Sequence, residues 1–140
     1  QMLAATRAEH FPDDGSVDLI APSLELTDPG TPRITVRADT GRVTGDREII
    51  TLSGQVRATR DAAPATARDK NPVGEATFAT DVLRVIPKEA RAETDKLVTV
   101  EEARGIIQGV GMILDNNART IKLDRVRAVY KPVPRPAAEK

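Results

Sequence analysis

Cysteine and tryptophan are both absent from the 140-residue chain. Without cysteine, no disulfide framework, thiolate nucleophile or zinc–cysteine site can form. Aromatic residues make up only 2% of the sequence, so few rings are present to stack on nucleobases or sugars, and any core must be aliphatic. Lys+Arg and Asp+Glu both number 21, so no net basic field would attract nucleic acid. Nucleic acid is therefore not an expected partner.

Long hydrophobic runs are also missing. No stretch approaches the roughly 18 apolar residues of a membrane-spanning helix, and the N-terminus has no basic-plus-apolar signal segment. The chain starts in mid-pattern, at Gln1, Met2 and Leu3, so we expect it to be a piece of a longer protein. Its length suits one domain with a real core rather than two large ones.

No group of residues has the spacing of a catalytic or metal site. His10 is the only histidine and has no second ligand at metal-binding spacing, so we expect it on a surface or half-buried strand. Gly109-Val110-Gly111 lacks the third glycine and the acidic residue of a dinucleotide site. A β-bulge explains this glycine pair, with or without a role in shaping a binding cleft. We expect no enzyme activity, no cofactor and no metal.

Alternation of apolar and polar residues is the strongest pattern that is present. Three segments have it, each interrupted by turn residues: 33–56, 80–100 and 108–126. Asp39 and Asp81 occupy matching positions 42 residues apart. Period-2 alternation predicts half-buried antiparallel strands, and a fixed repeat predicts stacked units that share one core. The sequence therefore predicts a single, elongated all-β domain over residues 1–131.

The remaining segments are assigned by turn chemistry and proline content. Leu3–Phe11 and Val17–Leu26 are predicted strands, the second with an edge position or bulge at Pro22. Residues 59–75 are polar, rich in Ala and Pro and aperiodic, so a long mobile loop is predicted there. Residues 132–140 form a Pro-rich tail, which is predicted to be disordered because alternating prolines prevent a regular ladder.

One set of aliphatic side chains falls on a common face of the predicted strands. Its members are Ile34, Val36, Ile50, Leu52, Val56, Leu83, Val85, Val98, Val100, Ile121 and Leu123. An ordinary sandwich core explains this set. A trough between two diverging sheets that admits acyl chains, at about 0.8 kcal/mol per buried CH₂, explains it as well. Periodicity leaves both interpretations open.

Several short motifs also occur in the order and spacing of a known family. They are Leu3-Ala4-Ala5-Thr6-Arg7-Ala8-Glu9-His10-Phe11, Pro22-Ser23-Leu24, Val36-Arg37-Ala38-Asp39, Ile50-x-Leu52-x-Gly54-x-Val56, Thr80-Asp81-x-Leu83-x-Val85, Gly111-Met112 and Ile121-x-Leu123. Together they resemble the LptC family of lipopolysaccharide export over about residues 1–131. Each motif is loose by itself, and the specificity lies in their combination.

The resemblance implies an open, twisted antiparallel β-jellyroll in the periplasm, anchored to the inner membrane by an N-terminal transmembrane helix that this chain lacks. Its apolar interior would accept the lipid A acyl chains of lipopolysaccharide from an inner-membrane ABC transporter. It would then pass the lipid to a soluble periplasmic bridge protein of the same fold. Met112 would join Ile34, Val36, Leu52, Val56, Leu83, Val85, Val98, Val100, Ile121 and Leu123 in lining the lipid path.

The resemblance also assigns partners to the two ends of the strand stack. The N-terminal edge, with Leu3, Ala5 and Ala8, would dock the transporter. The C-terminal edge would dock the bridge protein through Gly109, Gly111, Arg127 and Tyr130. A homodimer remains open.

Three other functions remain open as well. These are the soluble bridge protein itself, a β-repeat structural or adhesion module without ligand, and a carbohydrate-binding jellyroll.

Overall fold

The computed structural model of the protein describes residues 2–27, 31–65, 72–103 and 105–129. In these ranges twelve strands form one antiparallel sheet, which confirms the predicted all-β jellyroll. The strands are β1 (Met2–Ala4), β2 (Arg7–His10), β3 (Val17–Ile20), β4 (Ser23–Leu26), β5 (Ile34–Arg37), β6 (Thr40–Val43), β7 (Ile50–Arg60), β8 (Ala76–Ile86), β9 (Arg91–Glu102), β10 (Gly105–Asp115), β11 (Thr120–Leu123) and β12 (Arg127–Val129). A single 3₁₀ turn, Pro87–Glu89, is the only helical element in the described ranges. None of the described residues therefore forms a helix that could cross a membrane.

Within the described residues the strands build eight rungs of one stack, and each rung bends near its middle. Strands β7 to β10 each span a whole rung. Each of the other four rungs consists of two short strands: β1 and β2, β3 and β4, β5 and β6, or β11 and β12. We call the two halves of the stack the first and second arm. The first arm contains β1, β4, β5 and β12 with the halves of β7–β10 that continue their sheet, and the second contains β2, β3, β6 and β11 with the other halves.

Glycines allow the long strands to bend at the corners between the arms. Gly54 in β7 has φ +80° and Gly111 in β10 has φ +103°, a region that side chains disfavour. An aspartate of the neighbouring rung bonds to each, since the N–H groups of Asp39 and Asp124 donate to the carbonyls of Gly54 and Gly111 at 2.9 and 3.0 Å. The strand register shifts beside each glycine. The bulge predicted at Gly109–Gly111 is thereby confirmed.

The core lies between the inner faces of the two arms. Because side chains alternate across a strand, every second residue of each rung points into this space. The largest fully buried side chains there are Leu24, Val36, Leu52, Val56, Val85, Val98 and Val100. Leu26 and Ile34 of the first arm and Ala92 and Leu114 of the second arm line one small cavity together, so the inner faces of the arms oppose each other directly.

Some predicted strand limits were wrong because bends were invisible to pattern alone. The predicted strand Leu3–Phe11 is divided into β1 and β2, and the predicted strand Val17–Leu26 is divided at Ala21, where φ is +52°. Asp39 and Asp81 both lie at corners where the chain passes from the first arm to the second. The next corner of this kind is at Gly111, only 30 residues after Asp81. The 42-residue spacing therefore reflects the connection between β7 and β8 rather than a fixed repeat.

Two further limits differ from the prediction. The segment 59–75 is not wholly a loop, because Thr59 and Arg60 belong to β7 and an isolated bridge joins Ala63 to Val73. Residues 66–71 and the predicted tail 132–140 lie outside the described residues. The end of the predicted segment 108–126 is not continuous strand, because β11 ends at Leu123 and β12 begins at Arg127, and Val126 between them is 54% exposed.

Candidate functional site

The predicted lining residues come together in one apolar cluster. Ile34, Val36, Leu52, Val56, Leu83, Val85, Val98, Val100 and Met112 are all buried in it, and Ile121 and Leu123 are half-buried against it. Register explains this convergence. Leu52 pairs with Leu83, and Val56 lies opposite Thr80, which in turn lies opposite Val98. Residues that pair across a ladder share one face of the sheet, so each rung adds its inward residues to the same interior.

Sequence reasoning missed several residues of the same cluster. Leu19, Leu24, Val43, Ala58, Ala76, Phe78, Ala92 and Leu114 are also buried in it. Phe78 was detectable, because Ala76-x-Phe78-x-Thr80 alternates just before the predicted strand at residue 80. Leu114 was detectable as well, because it follows Met112, already placed inside, by two residues and the register shift at Gly111 precedes both.

The interior is closed in this conformation. Its cavity between the arms measures about 10 Å³, room for about one water. We call the side opposite the corners the mouth, where residues 31–33 and 61–65 of the first arm meet the turns 87–90 and 116–119 of the second. Asn116 bridges it by donating from Nδ2 to the Pro32 carbonyl at 2.7 Å. Separation of the arms at this side would open the space between them.

A buried cation marks one limit of the apolar interior. Arg60 ends β7 on the inward face and is only 5% exposed. It donates from Nη2 to the Gly74 carbonyl at 3.0 Å, while its Nε is buried without a partner among the described residues. Burial lowers the pKa of Arg60, and the nearby Glu102 carboxylate partly opposes this effect. The inward row of β7 thus changes from apolar to charged at this position.

The N-terminal edge consists of β1 and β2, which each pair on one side only within the described residues. Leu3 packs against the core, so it belongs to the interior as well as to the edge. Ala5 and Ala8 are exposed. All four residues of β2 are exposed, including His10, and the described ranges contain no group of side chains that could hold a metal ion.

The C-terminal edge is formed by β11 and β12, and this corrects part of the prediction. Gly109 and Gly111 do not lie on an edge, because β10 pairs with β9 on one side and with β11 and β12 on the other. A Cβ at Gly109 would lie 2.7 Å from the Asp124 carbonyl oxygen, so these glycines permit close packing of the last rung. Arg127 does lie on the edge, exposed in β12. Tyr130 falls outside the described residues.

The hydrogen bonds of Asp124 with β10 determine which backbone N–H and C=O groups of β11 point away from β10. Asp124 donates to the Gly111 carbonyl and accepts from the Val110 N–H at 3.0 Å, so its polar groups face β10. Because these groups alternate along an antiparallel strand, Lys122 also faces β10, whereas Ile121 and Leu123 direct their N–H and C=O groups away from it. Within the described residues β11 has no neighbour on that side. An added strand could bond there.

In the part of the chain that the structure describes, the strands form a bent antiparallel stack with an apolar interior and an unpaired strand at each end, which is a β-jellyroll. The structure is similar to that of LptH from Pseudomonas aeruginosa, described as the LptA-homologous periplasmic component of the lipopolysaccharide transport device, with a TM-score of 0.67 over 94% of each chain at 13% identity. The profile of the family described as "Lipopolysaccharide-assembly, LptC-related" matches residues 1–131, and the chain belongs to this LptC family. Comparison with curated protein sequences gave no match.

Proposed function

We propose that this protein carries lipopolysaccharide through the periplasm with the lipid A acyl chains held between its two arms. Membership of the LptC family supports the ligand class. The observation that carries the proposal is the predominantly apolar inward surface, which Thr80 and Arg60 interrupt. Every long strand contributes to it, and on its mouth side it is closed by side chains and turns rather than by a strand ladder. An acyl chain would replace contacts between the arms with contacts to itself.

The energetics permit this exchange. Loading must separate apolar surfaces such as those of Leu26 and Leu114, which now line a cavity of only about 10 Å³. Each acyl CH₂ removed from water contributes about 0.8 kcal/mol, so a chain of ten or more carbons offsets the loss of several side-chain contacts. The corners between the arms lie away from the mouth, and the backbone ladder that joins the rungs is not broken when the arms move apart.

The two edges give the transfer a direction. We propose that the β1–β2 edge faces an inner-membrane ABC transporter and that an N-terminal transmembrane segment anchors the protein there. The β11–β12 edge would accept a strand of a soluble bridge protein with the same fold by β-augmentation, which needs a row of unpaired N–H and C=O groups. The outward polar groups of Ile121 and Leu123 supply such a row.

Photocrosslinking from paired positions tests lipid binding. Leu52 and Leu83 face each other on the inside of β7 and β8, and Thr51 and Arg84 face each other on the outside. A photoreactive residue at Leu52 or Leu83 should become joined to lipopolysaccharide, and the same residue one position away at Thr51 or Arg84 should not. These outer positions are matched controls, because they lie on the same strands at the same height of the stack.

Two labelling results would contradict the proposal. Equal labelling from inner and outer positions would mean that lipid adheres to the surface. Labelling from neither face, in a protein that keeps its cooperative unfolding transition, would mean that the interior is only a structural core.

A further inference from the structure

One buried hydrogen bond joins the two arms across the mouth. Asn116 lies in the turn that follows β10 in the second arm, and Pro32 precedes β5 in the first. The Asn116 Nδ2 donates to the Pro32 carbonyl at 2.7 Å. Asn116 is 2% exposed and Pro32 is fully buried, so water does not compete for this bond while the mouth is closed.

The Asn116 side chain is not needed to form its own turn. Its backbone N–H donates to the Ala90 carbonyl at 2.9 Å, which fixes the turn to its neighbour in the second arm. Within the turn, the Ala118 N–H donates to the Asp115 carboxylate at 3.0 Å. The side-chain amide is therefore used for the contact between arms. A second contact across the mouth, from Arg119 to the Pro64 carbonyl at 3.2 Å, is exposed and competes with water.

The same side chain also limits how firmly the mouth is closed. The Asn116 Oδ1 is buried and has no hydrogen-bond partner among the described residues. A buried acceptor without a partner is unfavourable and offsets much of what the bond to Pro32 contributes. Alanine at this position would remove the unpaired Oδ1 but leave the buried Pro32 carbonyl without its Asn116 donor, so the closed state would lose the bond and still contain an unpaired acceptor. The asparagine therefore makes a specific contact that can be released at low cost.

We propose that Asn116 is a latch that holds the two arms together at the mouth, and that breaking its bond to Pro32 opens the interior. The inference rests on the proposed function only where it names acyl chains as the ligand that enters the interior. The opening itself is a property of the protein without ligand. It predicts that removing the amide raises the open population without unfolding the stack.

Thiol accessibility measures this opening directly, because the chain contains no native cysteine. Leu114→Cys places a thiol at a 2% exposed position in the interior, and Val98→Cys places one at a 0% exposed position nearer the corners. Asn116→Ala should speed modification at position 114 by about fivefold, the factor expected for one net hydrogen bond, and change the rate at position 98 less than twofold. Asn117→Ala, an exposed neighbour in the same turn, should change neither.

A second variant removes the donor while keeping the size of the side chain. Asn116→Asp cannot donate to the Pro32 carbonyl, so it too should speed modification at position 114. If Asn116→Ala accelerates both thiols equally, the residue stabilises the whole domain and the latch is refuted. An unchanged rate at position 114 in both variants refutes it as well.

Uptake of an environment-sensitive fatty-acid probe separates the latch from the proposed function. Asn116→Ala should take up the probe about fivefold faster than the unaltered protein, because a binding-competent state with a larger population loads proportionally faster. If the selective thiol result holds but neither protein takes up the probe, the latch stands and the proposed lipid binding fails. If both take it up at the same rate, Asn116 does not control entry and the inference is wrong.

Discussion

Replacing Ile121 with proline should abolish docking at the C-terminal edge while leaving the domain folded. The Ile121 N–H points away from β10, so its loss removes no bond of the protein's own ladder. Proline is tolerated at such edge positions and removes one donor offered to an added strand. The sequence analysis pointed to Arg127 in the same edge. Ile121 is the better position, because the hydrogen bonds of Asp124 show that the Ile121 N–H points away from β10.

The expected magnitudes follow from the position of the side chain. Ile121 is half-buried against the core, so its truncation should cost about 1–2 kcal/mol, below the range for fully buried Ile→Ala changes, and lower Tm by roughly 5 °C. Ile121→Ala loses the same packing but keeps the N–H, and is therefore the matched control. The missing hydrogen bond and the proline ring should weaken partner binding by about tenfold or more.

The assay compares Tm and Kd for the two variants, with a soluble jellyroll protein of the LptA type from the same organism as partner. Both variants should lose similar stability, and only Ile121→Pro should lose binding. Normal binding by Ile121→Pro would show that the partner does not bond to β11. Complete unfolding of Ile121→Pro, with Ile121→Ala folded, would show that the Ile121 N–H belongs to the internal ladder.

Three further outcomes test the account of the corners, the turns and the buried cation. Gly54→Ala should destabilise the domain by about 1–2 kcal/mol because of its positive φ, and further because the new Cβ would lie 2.7 Å from the Asp39 carboxylate. Asp39→Ala in the same chain should regain only the stability lost to this collision, as measured by urea unfolding. The pKa values of Asp14 and Asp46 are lowered, mainly by the hydroxyls of Ser16 and Thr44. Their contribution to stability is therefore complete above about pH 3.8 and lost as pH falls through the lowered values, which amide protection factors at Ser16 and Glu48 should show. Arg60→Met should leave Tm unchanged or raise it, because Arg60 is buried with an unpaired Nε and apolar replacement of such charges is often favourable; a large loss of Tm would contradict this.

The sequence was sufficient for the fold class and for most of the interior, because alternation fixes which face each residue takes. Leu52 and Leu83 could be placed inside from pattern alone, as could Thr51 and Arg84 outside. The bends could be placed only in part. The bulge at Gly109–Gly111 was predicted, whereas at Ala21 the positive φ has no glycine to signal it and Pro22 indicated only an edge position or a bulge. The edge was placed only in part. The resemblance assigned Gly109 and Gly111 to it together with Arg127, but the missing side chains of the two glycines admit Asp124 of the last rung.

The contact that closes the mouth could not be predicted from the sequence either. Asn116 lies in a turn between two strands, but its bond to Pro32 joins residues 84 positions apart. No local pattern encodes a contact of that range. It arises because the last turns of the second arm and the loops of the first arm are brought together only when all the rungs are stacked.

Intermolecular NOEs between lipopolysaccharide and methyl-labelled protein show whether the acyl chains lie between the two arms. The protein provides its own control, because Leu24, Leu52, Val85 and Val98 are fully buried between the arms whereas Leu97, Val110 and Val126 are exposed apolar residues. Acyl methylene protons should show NOEs to the methyl groups of the first set and not to those of the second. NOEs confined to Leu97, Val110 and Val126 would place the lipid on the outer surface and contradict the account.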